Sequence, residues 1–176
     1  MYNDLGGADE SFLVRNLMNA AAITCFGAGA ALVACGEQTT LNGNAYWWLA
    51  IIAAIVTTTM QVQDMEDQEG DRARGRATIP LLWGDRTARH TIAVLVPMWS
   101  FVCPAYWDLD VVGFIMPAAL GLGIAARTLS LKSVSADEGT WRMWNLWMMA
   151  LYVLPVWEDI MRAIVEGYRS LLPMSH

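Results

Sequence analysis

The chain has 176 residues, of which 56% are apolar and 16% charged, and its net charge is −6. A mean hydropathy of +0.35 is typical of a membrane protein and argues against an ordinary soluble domain. No basic stripe outweighs the acids, so the charge pattern does not indicate nucleic-acid binding.

The N-terminal ten residues contain no basic region followed by an apolar core, so they do not resemble a signal peptide. We interpret them as a polar loop, which suggests that the chain begins partway through a larger unit. Five apolar stretches follow, and we expect helices because isolated strands cannot satisfy their backbone groups in lipid. The stretches are 12–35, 45–63, 88–107, 111–126 and 141–157, the last two being near the lower length limit for spanning a bilayer.

A soluble helical bundle is the alternative interpretation, and it requires a polar face on each helix. The stretches 16–35 and 45–63 offer little more than Thr, Asn and Gln for such a face. If the five helices alternate in direction, nine of the 11 Lys and Arg residues fall on one side of the membrane, and only Arg162 and Arg169 fall on the other. This asymmetry predicts an integral membrane protein, and it predicts that the side with nine cations is cytoplasmic.

A dense block of acids and arginines, residues 63–75, follows the second stretch. If that helix continues past Gln63, then Asp64, Asp67 and Asp71 fall at i, i+3 and i+7 and share one face. Clustered carboxylates repel one another unless a cation relieves them. Mg²⁺ prefers oxygen ligands and is often shared between carboxylates and substrate phosphates, so this spacing suits a Mg²⁺–diphosphate complex. Arginines follow directly, and their guanidinium groups suit phosphate oxygens.

Other interpretations of the block fit less well. An EF-hand loop counted from Asp64 needs Gly at its sixth position and Glu at its twelfth, where the chain has Glu69 and Gly75. Zinc is not indicated, because His90 and His176 stand apart from each other and the three cysteines show no metal-ligand spacing. A solvated loop of mixed charge and a cation carrier remain alternatives, although no inverted repeat supports a carrier.

The segment 64–80, DMEDQEGDRARGRATIP, resembles the second aspartate-rich motif of the UbiA superfamily of intramembrane prenyltransferases. It matches the pattern DxxDxxGDRxxGxxTxP at every specified position. The Tyr2-Asn3-Asp4 loop and the Trp-rich last stretch are similar to fungal members. The resemblance implies nine membrane helices around a cavity, with two aspartate-rich motifs that bind the diphosphate of an isoprenoid donor through Mg²⁺. It further implies that Asp64, Asp67 and Asp71 are metal ligands and that Arg72 and Arg76 bind diphosphate.

The first aspartate-rich motif of that family is absent from this sequence. The five predicted helices correspond to the family's fifth to ninth, so we expect residues 1–176 to form an all-α membrane bundle equivalent to the C-terminal half of the fold. A missing N-terminal half is then an expected partner. The family's activity implies Mg²⁺-dependent prenyl transfer to an aromatic or polyketide-type acceptor, in an internal membrane such as the endoplasmic reticulum. A membrane terpene cyclase and a non-catalytic or partner-binding half are the alternatives.

Several polar and aromatic residues on the predicted helices are candidates for the cavity. Asn16 and Asn19 either line the cavity or form hydrogen bonds between helices, and Gln61 and Asn145 are further candidate cavity-lining residues. Trp144 and Trp147 either stabilise a carbocation through their π faces or anchor the helix at the lipid interface. Beyond residue 157, apolar positions at Ile160, Ile164 and Leu171 predict an amphipathic surface helix.

Overall fold

The computed structural model describes residues 11–34, 36 and 40–171, with side chains up to residue 167. The N-terminal loop, Cys35 and the side chain of Leu171 therefore lie outside the described residues. Within the described part the protein is helical and contains no strand, which confirms the all-α prediction. The helices are α1 (Phe12–Ala34), α2 (Gly43–Thr59), α3 (Gln68–Ala73), α4 (Ile79–Trp83), α5 (Asp85–Tyr106), α6 (Val111–Ser130), α7 (Val134–Val153) and α8 (Trp157–Leu171), with 3₁₀ segments at Met60–Met65 and Leu154–Val156.

Each of the five long helices carries most of one predicted apolar stretch, and polar caps set several of the helix starts. Asn42 accepts a hydrogen bond from the backbone N–H of Ala45 at 2.8 Å, and Ser133 accepts one from Ala136 at 3.2 Å. The second cap explains why α7 starts at Val134, seven residues before the predicted stretch. Its first turn is polar, and sequence hydropathy alone cannot assign such a turn to a helix.

Three segments are long and apolar enough to cross a membrane: Phe12–Ala34, Gly43–Met65 and Val111–Ser130. The helices α5 and α7 have 22 and 20 residues, but charged side chains lie in their first turns. That α5 and α7 also span the membrane therefore stays a prediction.

Tryptophan side chains join the long helices through buried hydrogen bonds. Trp144 Nε1 donates to Thr59 Oγ1 at 3.0 Å, and Trp147 Nε1 donates to Ser100 Oγ at 2.8 Å. Trp144 is 2% exposed and Trp147 is fully buried. The prediction that these two residues anchor the helix at the lipid interface is wrong, because both pack in the core, where buried indole N–H groups find partners on neighbouring helices.

The contact between α5 and α6 depends on a glycine. A Cβ atom built on Gly121 would lie 2.1 Å from Ser100 Oγ, the same hydroxyl that holds Trp147. A side chain at this position would force the helices apart, as small residues at membrane-helix contacts allow close approach.

Candidate functional site

The aspartate-rich segment does not continue helix α2. The helix ends at Thr59, a 3₁₀ segment covers Met60–Met65, and α3 starts only at Gln68. Three consecutive threonines precede the change, and each hydroxyl donates to a backbone carbonyl four residues earlier at 2.7 Å. Such bonds compete with the helix ladder and bend helices, so the Thr-rich end of α2 gives a local reason for the break.

The break gives the three predicted metal ligands different surroundings. Asp64 is 2% exposed and Asp71 is 3% exposed, whereas the side chain of Asp67 is 54% exposed. The prediction that all three share one face is wrong, because the 3₁₀ segment winds more tightly than an α-helix and the chain then restarts a new helix. Asp64 and Asp71 face the interior, while Asp67 lies at the surface.

Two glycines shape the turn after the motif. Gly75 has a φ of +69°, a left-handed conformation that glycine adopts without strain. A Cβ atom on Gly70 would lie 2.2 Å from Asp67 Oδ1, so the missing side chain leaves room for the carboxylate. These positions of the motif therefore place its acids rather than contribute chemistry themselves.

Asp64 forms an ion pair with Arg15, which comes from the first turn of α1. Arg15 Nη2 donates to Asp64 Oδ1, and Arg15 is 5% exposed. The sequence places Arg15 only among the nine cations predicted on the cytoplasmic side. The available signal was a single arginine near the start of an otherwise uncharged membrane helix, a position that is costly unless the charge has a partner or a function.

Asp71 pairs with two arginines from the motif's own segment. Arg74 Nη2 and Arg76 Nη1 each donate to Asp71 Oδ1 at 3.2 Å. Arg74 also pairs with Asp67 Oδ2. Arg76, a predicted diphosphate-binding residue, thus lies directly against a predicted metal ligand.

Arg72, the other predicted diphosphate-binding residue, lines a separate polar cavity of about 520 Å³. Asp67 also lines this cavity, but Asp64, Asp71 and Arg76 do not. Burial raises the pKa of Glu66 at the cavity wall, and the neighbouring carboxylates of Glu138 and Asp67 raise it further. Of the predicted site residues, Asp67 and Arg72 therefore line this cavity, while Arg74 links Asp67 to Asp71 outside its lining. The cavity is lined by Met65, Glu66, Asp67, Gln68, Glu69, Gly70, Arg72, Asp85, Arg89, Lys132, Val134 and Asp137.

The wall of this cavity contains a buried arginine that the sequence did not single out. Arg89 donates to both carboxylate oxygens of Asp137, at 2.8 and 2.7 Å, and to Asp85 Oδ2 at 2.9 Å. It also donates to the backbone oxygen of Thr128 at 3.1 Å, which ties α5 to the end of α6. Since Arg89 and Asp137 are 48 positions apart, no local pattern marks them as partners.

Gln61 lines an apolar groove of about 220 Å³ next to the motif, together with Phe12, Thr58 and Thr91 among others. Its Nε2 donates to the backbone oxygen of Thr58 at 2.8 Å. The amide of Asn16 donates to the backbone oxygen of Thr57 at 3.0 Å, so this residue forms a hydrogen bond between α1 and α2.

The two remaining asparagines contact neither feature. Asn145 is exposed and donates to the backbone oxygen of Trp141 within its own helix at 2.9 Å. Asn19 is half-buried and does not line the groove. Their placement along a substrate cavity stays a prediction.

Carboxylates are suitable ligands for Mg²⁺, but the acids of the motif do not form a complete set of metal ligands in this structure. Across the described residues, no group of three or more His, Cys, Asp or Glu side chains is placed to hold a metal ion. Mg²⁺ in proteins is often bound through one or two carboxylates plus substrate phosphates, and two buried carboxylates are available in Asp64 and Asp71. In this structure arginines occupy both carboxylates. A metal ion would take the place of a guanidinium at each.

Comparisons with known proteins identify the family. The model of the UbiA prenyltransferase family matches residues 2–148. The chain is 28% identical to the fumagillin beta-trans-bergamotene synthase of Aspergillus fumigatus, over 89% of this chain and 53% of that protein. It is 29% identical to the somaliensene A/B synthase of Streptomyces somaliensis, over 81% of this chain and 48% of that protein.

A prenyl-lipid enzyme is also similar to this chain. The digeranylgeranylglyceryl phosphate synthase of Methanopyrus kandleri is 30% identical over 53% of this chain and 34% of that protein. No solved structure matches. The chain spans about half the length of the first two relatives.

Proposed function

The chain belongs to the UbiA prenyltransferase family, and we propose that it binds an isoprenoid diphosphate with Mg²⁺ and promotes departure of the diphosphate. The observation that carries this proposal is the pair of buried carboxylates, Asp64 and Asp71, each in contact with guanidinium groups at the end of an apolar helix. Buried acids and arginines in contact provide ligands for both a hard cation and a phosphate anion.

In this proposal Asp64 and Asp71 hold the cation. With the carboxylate of Asp71 bound to the cation, Arg76 would donate to the diphosphate instead of to Asp71. Bound Mg²⁺ would neutralise charge on the diphosphate as the allylic C–O bond breaks. The bonding electron pair leaves with the diphosphate, and an allylic carbocation remains. Arg72, which lines the polar cavity, is proposed as a second diphosphate contact, and Asp67, which shares Arg74 with Asp71, as an outer ligand.

The carbocation has two proposed fates. Cyclisation within the prenyl chain is favoured by the two relatives that match over four fifths of this chain, since both are named as synthases of terpenes. Transfer to a lipophilic acceptor is favoured by the Methanopyrus kandleri relative, whose name describes a glyceryl phosphate bearing geranylgeranyl groups. An aromatic or polyketide-type acceptor remains the form of transfer that the sequence resemblance implies.

Product analysis tests the proposal. Membranes containing the protein are supplied with Mg²⁺ and labelled prenyl diphosphates of several chain lengths, with and without lipophilic acceptors. We expect labelled product from the wild type and none from Asp64→Asn, while Asp159→Asn on α8 serves as a matched control. A cyclic hydrocarbon formed without acceptor indicates a cyclase, and a labelled acceptor indicates a transferase. Turnover by Asp64→Asn equal to that of the wild type would contradict the site.

We also propose that a partner segment carrying the first aspartate-rich motif completes the site. Its support is the length of the relatives, which is about twice that of this chain. Co-expression of such a segment should raise turnover at least tenfold. Turnover that is unchanged would argue that the chain works alone, and absence of turnover in both samples would favour a non-catalytic half.

The membrane orientation is a proposal too. The nine cations on the motif side support a cytoplasmic site, in the endoplasmic reticulum or another internal membrane. A cysteine introduced at exposed Arg86 should react with an impermeant reagent from the cytoplasmic side, in a background where the native cysteines are replaced. Labelling only from the opposite side would reverse the assigned orientation.

A further inference from the structure

We propose that the C-terminal helix α8 lies in the interface of the lipid bilayer, on the side of the membrane opposite to the aspartate-rich segment. The helix covers Trp157–Leu171 and follows the part of the chain that the family model matches, which ends at residue 148. This inference goes beyond the proposed function, because it assigns a lipid partner to a helix outside the candidate site.

The length of α7 separates α8 from the motif. α7 begins beside the motif, since Asp137 in its first turn lines the polar cavity together with Asp67 and Arg72. The helix has 20 residues, and at a rise of about 1.5 Å per residue it extends about 30 Å, which is the thickness of the hydrocarbon core. The 3₁₀ segment Leu154–Val156 then ends α7, because its Pro155 cannot continue the helical hydrogen bonds. α8 therefore begins about one bilayer thickness away from the motif.

The start of α8 lies at the level of the first turn of α6. Trp157 and Met161 line a groove of about 230 Å³ together with Leu109 and Asp110, which directly precede α6. α6 is one of the segments long and apolar enough to cross a membrane, and Val111 in its first turn is 81% exposed. α8 thus begins where the exposed apolar surface of a candidate membrane-spanning helix begins.

The side chains of α8 divide into an apolar and a charged face. Ile160 and Ile164 are one turn apart, and they are 38% and 58% exposed, so the described protein leaves this face largely uncovered. Asp159, Arg162 and Glu166 fall at i, i+3 and i+7 on the opposite face, where Arg162 Nη1 donates to Asp159 Oδ1 at 3.4 Å. A helix with one apolar and one charged face is suited to lie in the plane of the bilayer interface.

The lipid surface is the partner that this position supplies. Lipid would contact the exposed apolar side chains of α6 at the same level, and Trp157 at the start of α8 is of a residue type enriched at membrane–water interfaces. The sequence of α8 contains three acids and two arginines, whereas interfacial helices that are attracted to anionic lipids are rich in Lys and Arg. The apolar face therefore supplies the binding, and a zwitterionic lipid surface should be sufficient.

Quenching by brominated lipids measures this placement in the full chain. Ile164→Cys and Glu166→Cys form a matched pair on opposite faces of α8, each labelled with the fluorophore NBD in a background where the native cysteines are replaced. In phosphatidylcholine vesicles, bromine near the headgroup end of the acyl chain should quench the label at Ile164→Cys about threefold more strongly than the label at Glu166→Cys, because the apolar face of an interfacial helix enters the boundary between headgroups and acyl chains.

The side of the membrane is tested with the same labels. Dithionite added to sealed vesicles should reduce the label at Glu166→Cys only from the side opposite to the one at which it reduces a label at Arg86→Cys. Arg86 is exposed and lies in the first turn of α5, at the motif end of that helix. Reduction of both labels from the same side would overturn the inference.

Equal quenching of the two α8 labels would also overturn it, as would quenching that occurs only after phosphatidylglycerol is added. A label at Ile164→Cys that bromine does not quench, and whose emission shifts to the blue as the ratio of protein to lipid rises or as the first-motif segment is added, would assign the face to a second copy or to that segment instead. Ile160→Cys and Arg162→Cys repeat the comparison if the first pair fails to fold. None of these readouts depends on turnover, so failure of the proposed function leaves this inference intact.

Discussion

Arg89 and Asp137 form a buried two-point ion pair that joins α5 to α7, with donor–acceptor distances of 2.8 and 2.7 Å. Arg89 is 3% exposed and Asp137 is also 3% exposed. The same guanidinium reaches the backbone oxygens of Thr128 and Leu131 at the end of α6. One arginine thus connects three helices beside the polar cavity.

Removal of one partner should destabilise the protein strongly. We expect Asp137→Asn to lower the free energy of unfolding by about 3–5 kcal/mol, because it leaves the charge of Arg89 buried without its two-point partner. Denaturant unfolding in detergent, followed by intrinsic fluorescence, measures this change. Glu138→Gln, at the exposed neighbouring ion pair with Arg142, is the control and should change the free energy by about 1 kcal/mol or less. Equal effects of the two substitutions would contradict the role assigned to Arg89.

A methyl group at Gly121 should separate α5 from α6. Its Cβ atom would lie 2.1 Å from Ser100 Oγ, so Gly121→Ala should cost about 1–3 kcal/mol through overpacking. Gly29→Ala is the matched control, since nothing lies within 4 Å of a Cβ at that position. The control should be neutral or stabilising, because alanine favours helix more than glycine does. Thermal unfolding of both variants provides the comparison, and a stable Gly121→Ala protein would argue against this helix contact.

The indole of Trp147 should contribute through its hydrogen bond as well as its size. Trp147→Phe removes the donor to Ser100 Oγ and should cost about 1–3 kcal/mol, from the lost bond and the smaller ring. Trp47→Phe is the control, because Trp47 is 68% exposed. The two free energies of unfolding can be compared directly. A larger effect at Trp47 than at Trp147 would contradict the role assigned to the buried hydrogen bond of Trp147.

The sequence was sufficient for the helices because their signal is local. Long apolar runs predict helices without knowledge of their neighbours, although they miss a polar first turn such as the one that Ser133 caps at the start of α7. The aspartate-rich motif was equally visible, since its acids and arginines are close in sequence. The direction in which the acids point is not evident from the sequence. It depends on the end of α2, where the hydroxyls of Thr57, Thr58 and Thr59 donate to backbone carbonyls and a 3₁₀ segment follows the helix.

The pairing of distant charges was also beyond the sequence. Arg15 and Asp64 are 49 positions apart, and Arg89 and Asp137 are 48 apart. From the sequence, each arginine is one of the nine cations predicted on the cytoplasmic side. Only the packing of α1 against α2, and of α5 and α6 against α7, brings each arginine to its carboxylate. Tertiary structure therefore adds the residues that hold the motif in place.

Release of inorganic diphosphate from an allylic prenyl diphosphate is the measurement that tests the central claim most directly. The assay compares the wild type, Asp71→Asn and the control Asp159→Asn, each with Mg²⁺ and with EDTA, in the presence of the first-motif segment. We predict release by the wild type and the control that depends on Mg²⁺, and a loss of about a hundredfold or more in Asp71→Asn, as expected when a ligand of the cation that stabilises the leaving group is removed. Equal release by Asp71→Asn, or release that is unaffected by EDTA, would contradict the account.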